Sequence, residues 1–106
     1  MNYTGIFFEN GTHMTWNFGT PLEYPKGVKA GDKATVVVHG IYADDDVECF
    51  IVSYDTFMYQ PKGTLLHITT RVQNGAKPVM SGQRATATPS KIQYFEEPFY
   101  LTGEWK

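Results

Sequence analysis

Thr12-His13-Met14-Thr15-Trp16-Asn17-Phe18 alternates without a break: His13, Thr15 and Asn17 fall on one side, Met14, Trp16 and Phe18 on the other. Successive side chains of a strand point to opposite faces, so this is the pattern of a half-buried β-strand with its large apolar groups inward. Asn10-Gly11 stands just before it, and the β-prone run Tyr3-Thr4-Gly5-Ile6-Phe7-Phe8-Glu9 precedes that. Asn-Gly is a strong signal for a two-residue hairpin, so the chain is predicted to begin with two antiparallel strands.

The same reading extends along the chain. Gly19 to Asp32 is a loop punctuated by Pro21, Pro25, Gly27 and Gly31. Ala34 to Tyr42 is a nearly continuous apolar run and predicts a central strand. An acidic turn follows at Ala43 to Asp46, then a long strand from Val47 to Tyr59, bent near Asp55. Pro61-Lys62-Gly63 is the next turn. Thr64 to Val72 is predicted as a strand with Leu65, His67, Thr69 and Arg71 on one face, and Asn74-Gly75 ends it. One short helix is predicted around Met80 to Ala87, with Ser81 as its cap and Gly82 weakening it. Lys91 to Phe95 and Phe99 to Trp105 complete the chain as two strands split by Glu96-Glu97-Pro98. The fold class expected is therefore mainly antiparallel β, with six to eight strands and at most one or two short helices.

A chain of 106 residues fits one domain with one modest core. Hydrophobic residues make up 42% and aromatic residues 15%, which argues against disorder and for strands. No apolar run reaches the roughly 18 residues of a membrane span. Met1 to Asn10 has no positive start and carries Glu9, so it does not read as a secretion signal. The single cysteine, Cys49, has no partner for an internal disulfide, and a reducing, cytoplasmic setting is expected. Net charge is −2, against a generic DNA-coating protein. Charge is nonetheless segregated. Thr56 to Phe95 contains no acid but holds Lys62, Arg71, Lys77, Arg84 and Lys91, whereas Asp44, Asp45, Asp46 and Glu48 cluster together. The half carrying His67 is thus expected to be the one that attracts an anion, unless its cations merely solvate a surface.

Two short echoes carry the chemistry: His13-Met14-Thr15 and His67-Ile68-Thr69. Each places an imidazole and a hydroxyl on the same face of a strand. Two such pairs brought together hold a base, an acid and two hydroxyl donors, the equipment for opening a phosphodiester without a metal. The third histidine, His39, lies in Val36-Val37-Val38-His39-Gly40 without a threonine two residues on, and reads as structural. Cys49 reads as buried packing, and Trp16 as core.

The paired His-x-Thr pattern resembles the 2H phosphoesterase superfamily, which includes the LigT-like 2′,3′-cyclic phosphodiesterases. The matching residues are His13-Met14-Thr15-Trp16 and His67-Ile68-Thr69-Thr70. Tyr3-Thr4-Gly5-Ile6-Phe7-Phe8, Phe18-Gly19 and Gly75-Ala76-Lys77-Pro78-Val79-Met80-Ser81 resemble flanking segments of that family. The chain departs from it in length: there is little room for the outer helices of a two-lobed α+β fold, so a reduced member is implied. The resemblance implies that His13 and His67 face each other across a cleft as catalytic base and acid. It also implies that Thr15 and Thr69 donate to the phosphate oxygens. Arg71, Lys77 and Tyr3 are the further substrate-binding candidates, Tyr3 by stacking and the cations on a neighbouring phosphate. The implied substrate is an RNA end bearing a 2′,3′-cyclic phosphate, or a small cyclic or 2′-5′ oligonucleotide, handled without cofactor or metal. Two other readings compete: a small β-barrel that binds nucleic acid or protein without turnover, and a purely structural protein.

Overall fold

The computed structural model describes residues 2–106. Met1, the first residue of the segment read as lacking a secretion signal, lies outside the described residues. Six strands are present: β1 (Tyr3–Phe7), β2 (His13–Phe18), β3 (Lys33–Ala43), β4 (Val47–Tyr54), β5 (His67–Val72) and β6 (Gln93–Trp105). One helix, α1 (Val79–Ala87), and a 3-10 turn at Pro89–Lys91 lie between β5 and β6. The strands close into an antiparallel barrel in the order β1-β2-β5-β4-β3-β6. Mainly antiparallel β with a single helix is thus the architecture.

Closure arises from a three-stranded meander, β3-β4-β5, whose two edges are joined by the other strands. β6 lies along β3, and the β1–β2 hairpin fills the gap between β6 and β5. The hairpin is held by thin seams. Ile6 and Phe7 pair with Trp105 and Glu104, and Met14 pairs with Ile68. Beyond Met14 the β2 edge has no strand partner. Side chains of the β4–β5 connection serve it instead: Gln60 Nε2 donates to the Thr15 carbonyl at 3.1 Å and Lys62 Nζ to the Phe18 carbonyl at 2.8 Å. Satisfying these acceptors covers an edge that would otherwise be free to pair with another chain.

Inside the barrel, Ile6, Met14, Val36, Val38, Leu66, Ile68 and Trp105 are almost wholly buried. Trp16, Tyr24 and Tyr54 meet Trp105 edge-on at centroid distances of 6.2, 6.1 and 5.2 Å. A second, smaller core lies outside the barrel wall, where Tyr42, Val47, Cys49, Ile51 and Leu65 are roofed by Ala85 of α1 and by Ile92. Cys49 is fully buried there, and burial pushes its thiol up to about 11, which keeps it protonated and inert.

Several boundaries differ from the sequence expectations, each for a local reason. The first hairpin turns through three residues, Glu9 to Gly11, because Phe8 N–H still reaches the Thr12 carbonyl at 2.9 Å. The second strand keeps the expected alternation only to Trp16. A bulge opposite Thr4/Gly5 turns Asn17 inward, where its Oδ1 accepts from Glu23 N–H at 3.0 Å, and leaves Phe18 60% exposed. β4 stops at Tyr54, since Asp55 takes a φ of +53°. β5 begins at His67, three residues later than expected. The two final strands are one strand in which pairing jumps from Tyr94 opposite Gly40 to Phe99 opposite Val38, so Glu96-Glu97-Pro98 is a bulge rather than a break. Pro78, not Ser81, stands at the N-cap of α1; Ser81 is buried in the first turn with its hydroxyl 3.0 Å from the Pro78 carbonyl.

The acidic turn is a structural clamp. Arg84 of α1 bonds both Asp44 (3.2 Å) and Asp46 (2.9 Å), tying the helix to the β3–β4 turn. Burial alone would raise the Asp44 carboxyl. The Asp46 N–H, the Tyr42 hydroxyl, the Val47 N–H and Arg84 together outweigh it and hold that carboxyl far below the usual range. The unfolded chain therefore takes up the proton first as pH falls. Stability conferred by this turn is present above the ordinary carboxylate pKa of about 4 and is lost as pH drops below it. Thermal melts of wild type against Asp44→Asn should show a gap near neutral pH that narrows towards pH 3; a gap independent of pH would refute the clamp. In the barrel, Ile68→Ala removes a fully buried side chain from the β2–β5 seam and should cost ~2–5 kcal/mol in denaturant unfolding.

Candidate functional site

The Met14–Ile68 pair fixes where the two echoes meet. Both side chains point into the barrel, so the residues flanking them point out. The antiparallel register sets Thr15 beside His67 and His13 beside Thr69. All four motif side chains share one outer face of two paired strands, with the two histidines on a diagonal. Diagonal neighbours on a sheet stand about 7–8 Å apart. The expected arrangement across a cleft between lobes is therefore not the one found: the pairs sit side by side on the wall of a single barrel.

The surroundings of the two histidines differ. His13 lies in an open stack of rings. Its centroid is 5.1 Å from those of both Tyr3 and Phe7, with interplanar angles of 27° and 17°. Tyr3 and Phe7 are themselves 5.9 Å apart and within 16° of parallel, and Phe18 continues the row at 6.2 Å from Tyr3. Lys106 Nζ stands 5.6 Å from the Phe7 centroid. Gly5 sits between Tyr3 and Phe7 on the strand, and a Cβ there would be 2.2 Å from the Met14 carbonyl oxygen. The hairpin can close around the bulge only with glycine at this position, and the bulge turns Phe18 to the outside.

His67 is closed in. Its Nδ1 is 2.7 Å from the Leu65 carbonyl; a carbonyl only accepts, so Nδ1 carries the proton and Nε2 is the acceptor. Helix α1 crosses over the ring at Gly82, where a Cβ would come within 2.1 Å of His67 Cε1. Thr69 is also engaged by this helix: its hydroxyl is 2.8 Å from that of Ser81, and both stand against the Pro78 carbonyl. Burial lowers the pKa of His13. Burial also lowers that of His67, where the Leu65 carbonyl pulls the other way and the nearby His13 adds to the lowering. Both rings are neutral at pH 7.

The remaining candidates divide. Tyr3 is brought onto His13, as just described. Thr15 lies on the open face, with its carbonyl accepting from Gln60 Nε2. Arg71 turns away from the quartet: its guanidinium donates to the Asp44 carbonyl at 2.8 Å and extends to the Val47 carbonyl at 3.4 Å. With Arg84 paired to the same turn, two of the five cations of the acid-free stretch are committed to the acidic turn rather than to an open anion site. Lys77 is exposed in the connection that brings Pro78 to Thr69. His39 donates to or accepts from Ser53 at 2.6 Å, away from the other two histidines. Sequence reading missed Phe7, Phe18 and Lys106. The signal for Phe7 was present in its i+4 spacing from Tyr3 on one strand face, but Phe18 was assigned to the wrong face.

No helix of the described residues is long and apolar enough to cross a membrane. Comparison with known proteins yields no match: no family model, no curated protein and no solved structure aligns with this chain.

Proton-detected titration should place both His13 and His67 below the ordinary histidine pKa of about 6.5. Gly82→Ala must push the imidazole out from under the helix, so the His67 titration should move up, towards 6.5. His13→Gln should also raise it, by removing a like charge. A His67 titration unchanged in both variants would show that the ring is not held as described.

Proposed function

We propose that this barrel binds single-stranded nucleic acid by stacking unpaired bases on the outer face of its β1–β2 hairpin. The observation that supports this most is the cluster of Phe18, Tyr3, His13 and Phe7, near-parallel rings stacked on one another on an outer strand face. Because these rings stack on one another, a base meets the outermost ring of the cluster, Phe18 being the most exposed, and each stacked base contributes ~1–3 kcal/mol. A neutral His13 serves as one of these rings. Lys106 beside Phe7 and Lys62 beside Phe18 put a cation at either end of the row, where a backbone phosphate would pass. Burial of Asn17 and Trp16 beneath the row makes the platform rigid, so little ordering entropy is lost on binding.

A second reading keeps the catalytic expectation: metal-independent opening of a 2′,3′-cyclic phosphate or cleavage of a small cyclic or 2′-5′ oligonucleotide. What favours it is the placement of His13, Thr15, His67 and Thr69 on one face of paired strands. His67 would accept a proton at Nε2. What weighs against it is the helix over that ring and the prior engagement of the Thr69 hydroxyl.

One panel separates the two. Fluorescence anisotropy with unstructured RNA and DNA oligonucleotides should show binding that Phe18→Ala and Phe7→Ala each weaken by ~1–3 kcal/mol, while far-UV spectra stay unchanged. The salt dependence should be shallow. Each phosphate contact contributes about 0.7 to the slope of log K against log salt, so two lysines give roughly 1.4. The same oligonucleotides, and RNA ending in a cyclic phosphate, are then analysed for products in EDTA. Binding without products supports the platform. Products that disappear in His13→Ala and in His67→Ala support catalysis. Neither binding nor products would remove both readings.

A further inference from the structure

We propose that the open edge of β6 takes up one more strand: an extended segment of a partner protein in which apolar residues alternate with basic ones. The edge lies away from the hairpin face and owes nothing to its reading as a nucleic-acid platform. β6 is the longest strand, with 13 residues. β3 pairs along it from Gln93 to Glu104, but on its other side β1 meets only Glu104 and Trp105 before the ladder passes to Lys106 and Gly5. Over residues 93–103 no backbone group outside β3 bonds to this strand among the described residues. The shorter open edge of β2 has Gln60 and Lys62 on its carbonyls; no side chain among the described residues does the same for β6. A row of unpaired N–H and C=O groups is a template for another strand.

The side chains along the edge are as incompletely covered as its backbone. Phe95 and Leu101 pack against the barrel core only in part. Phe99 meets Phe50 edge-on at 5.7 Å, lies 5.9 Å from Phe95, and is still 40% exposed. Tyr94 and Tyr100 alternate with these residues, so they stand on the opposite face, where both are exposed. An added strand pairs the free backbone and lays its inward side chains over Phe99. In such strand addition the main chain supplies affinity and alternate side chains supply specificity. Charge decides the occupant. Glu96 and Glu97 are exposed at the bulge in the middle of the edge and form no salt bridge among the described residues. A second copy of this chain would bring the same carboxylates to the edge, and like charges facing each other across strands are unfavourable. A basic segment meets them with the opposite sign. Pro98 has no N–H to offer, so uninterrupted pairing is confined to residues 99–103 and the docked segment is short.

The test is amide hydrogen exchange of the ¹⁵N-labelled protein with three short peptides: alternating Lys and Val, alternating Glu and Val, and alternating Lys and Pro. The third keeps the charge but cannot form a ladder, because proline lacks the N–H. In the free protein the amides of residues 99–103 that do not bond to β3 should exchange fast. Lys-Val peptide present about tenfold above its dissociation constant should slow them about tenfold, and the other two peptides should leave them unchanged. Phe99→Ala should weaken Lys-Val binding about tenfold. Glu96→Lys combined with Glu97→Lys, both at exposed positions, should transfer the preference to the Glu-Val peptide. Unchanged exchange with Lys-Val, equal slowing by Lys-Pro, or a preference untouched by the charge reversal overturns the proposal. Amides that are already slow in the free protein at a concentration where sedimentation shows a dimer assign the edge to a second copy, and overturn the basic partner.

Discussion

The barrel closes through the contact of Met14 with Ile68, and the rest of the molecule depends on that closure. A meander of three strands with β6 along one side is an open sheet with two edges. The β1–β2 hairpin fits between those edges only if its apolar side chains enter the same core that β3, β4 and β6 line. Ile6, Phe8, Met14 and Trp16 do so. Hydrophobic burial, rather than ladder hydrogen bonding, therefore holds the hairpin in place, because its ladders to β5 and β6 are short. Gln60 and Lys62 supply the polar half of the seam by capping carbonyls that no strand reaches.

Closing a sheet of six strands also demands curvature, and the chain obtains it with bulges. Pairing shifts between Thr4 and Gly5, between Val38 and Gly40, and between Glu48 and Cys49. Each extra residue sharpens the local twist and reverses which side chains face in. At β3 the reversal has a large effect. Val36 and Val38 point into the barrel, whereas Tyr42, past the bulge, points out into the second core beneath α1. At the hairpin it exchanges Asn17 for Phe18 on the outer face and completes the row of rings. The candidate site is thus a by-product of barrel geometry: the bend that lets the hairpin close is the bend that exposes the fourth ring.

This explains what the sequence did and did not disclose. Alternation in His13 to Thr15 and in Leu65 to Thr69 assigned the faces correctly, because each stretch ends before a bulge, where pairing skips Trp16 in one strand and Thr70 in the other. The acid-free stretch was visible as composition, yet Arg84 and Asp44 are 40 positions apart, and no local pattern reports that they meet. Phe18 was misplaced because a single inserted residue leaves no trace in a period of two. Gly82 is the most instructive position. By propensity it counts against a helix, costing roughly 1 kcal/mol relative to alanine. Its purpose is legible only in three dimensions, where the missing side chain gives the His67 ring room to lie under α1. The two echoes stood out in the sequence as equals; the helix that crosses one of them makes them unequal.

That inequality bears on how a chain of net charge −2 and pI 5.8 would take hold of an anionic polymer. A protein that relies on counterion release needs a field of free cations. Here Arg84 is neutralised by Asp44 and Asp46, and Arg71 is turned onto backbone carbonyls of the same turn. Both histidines are kept neutral by burial. The cations next to the ring platform are Lys62 and Lys106, and Lys62 already donates to the Phe18 carbonyl. Attraction between charges is therefore a small part of what this surface offers, and ring faces are the larger part. Neutrality of His13 then has a positive role. A protonated ring would be costly to hold half-buried against Tyr3 and Phe7, whereas a neutral one packs on both.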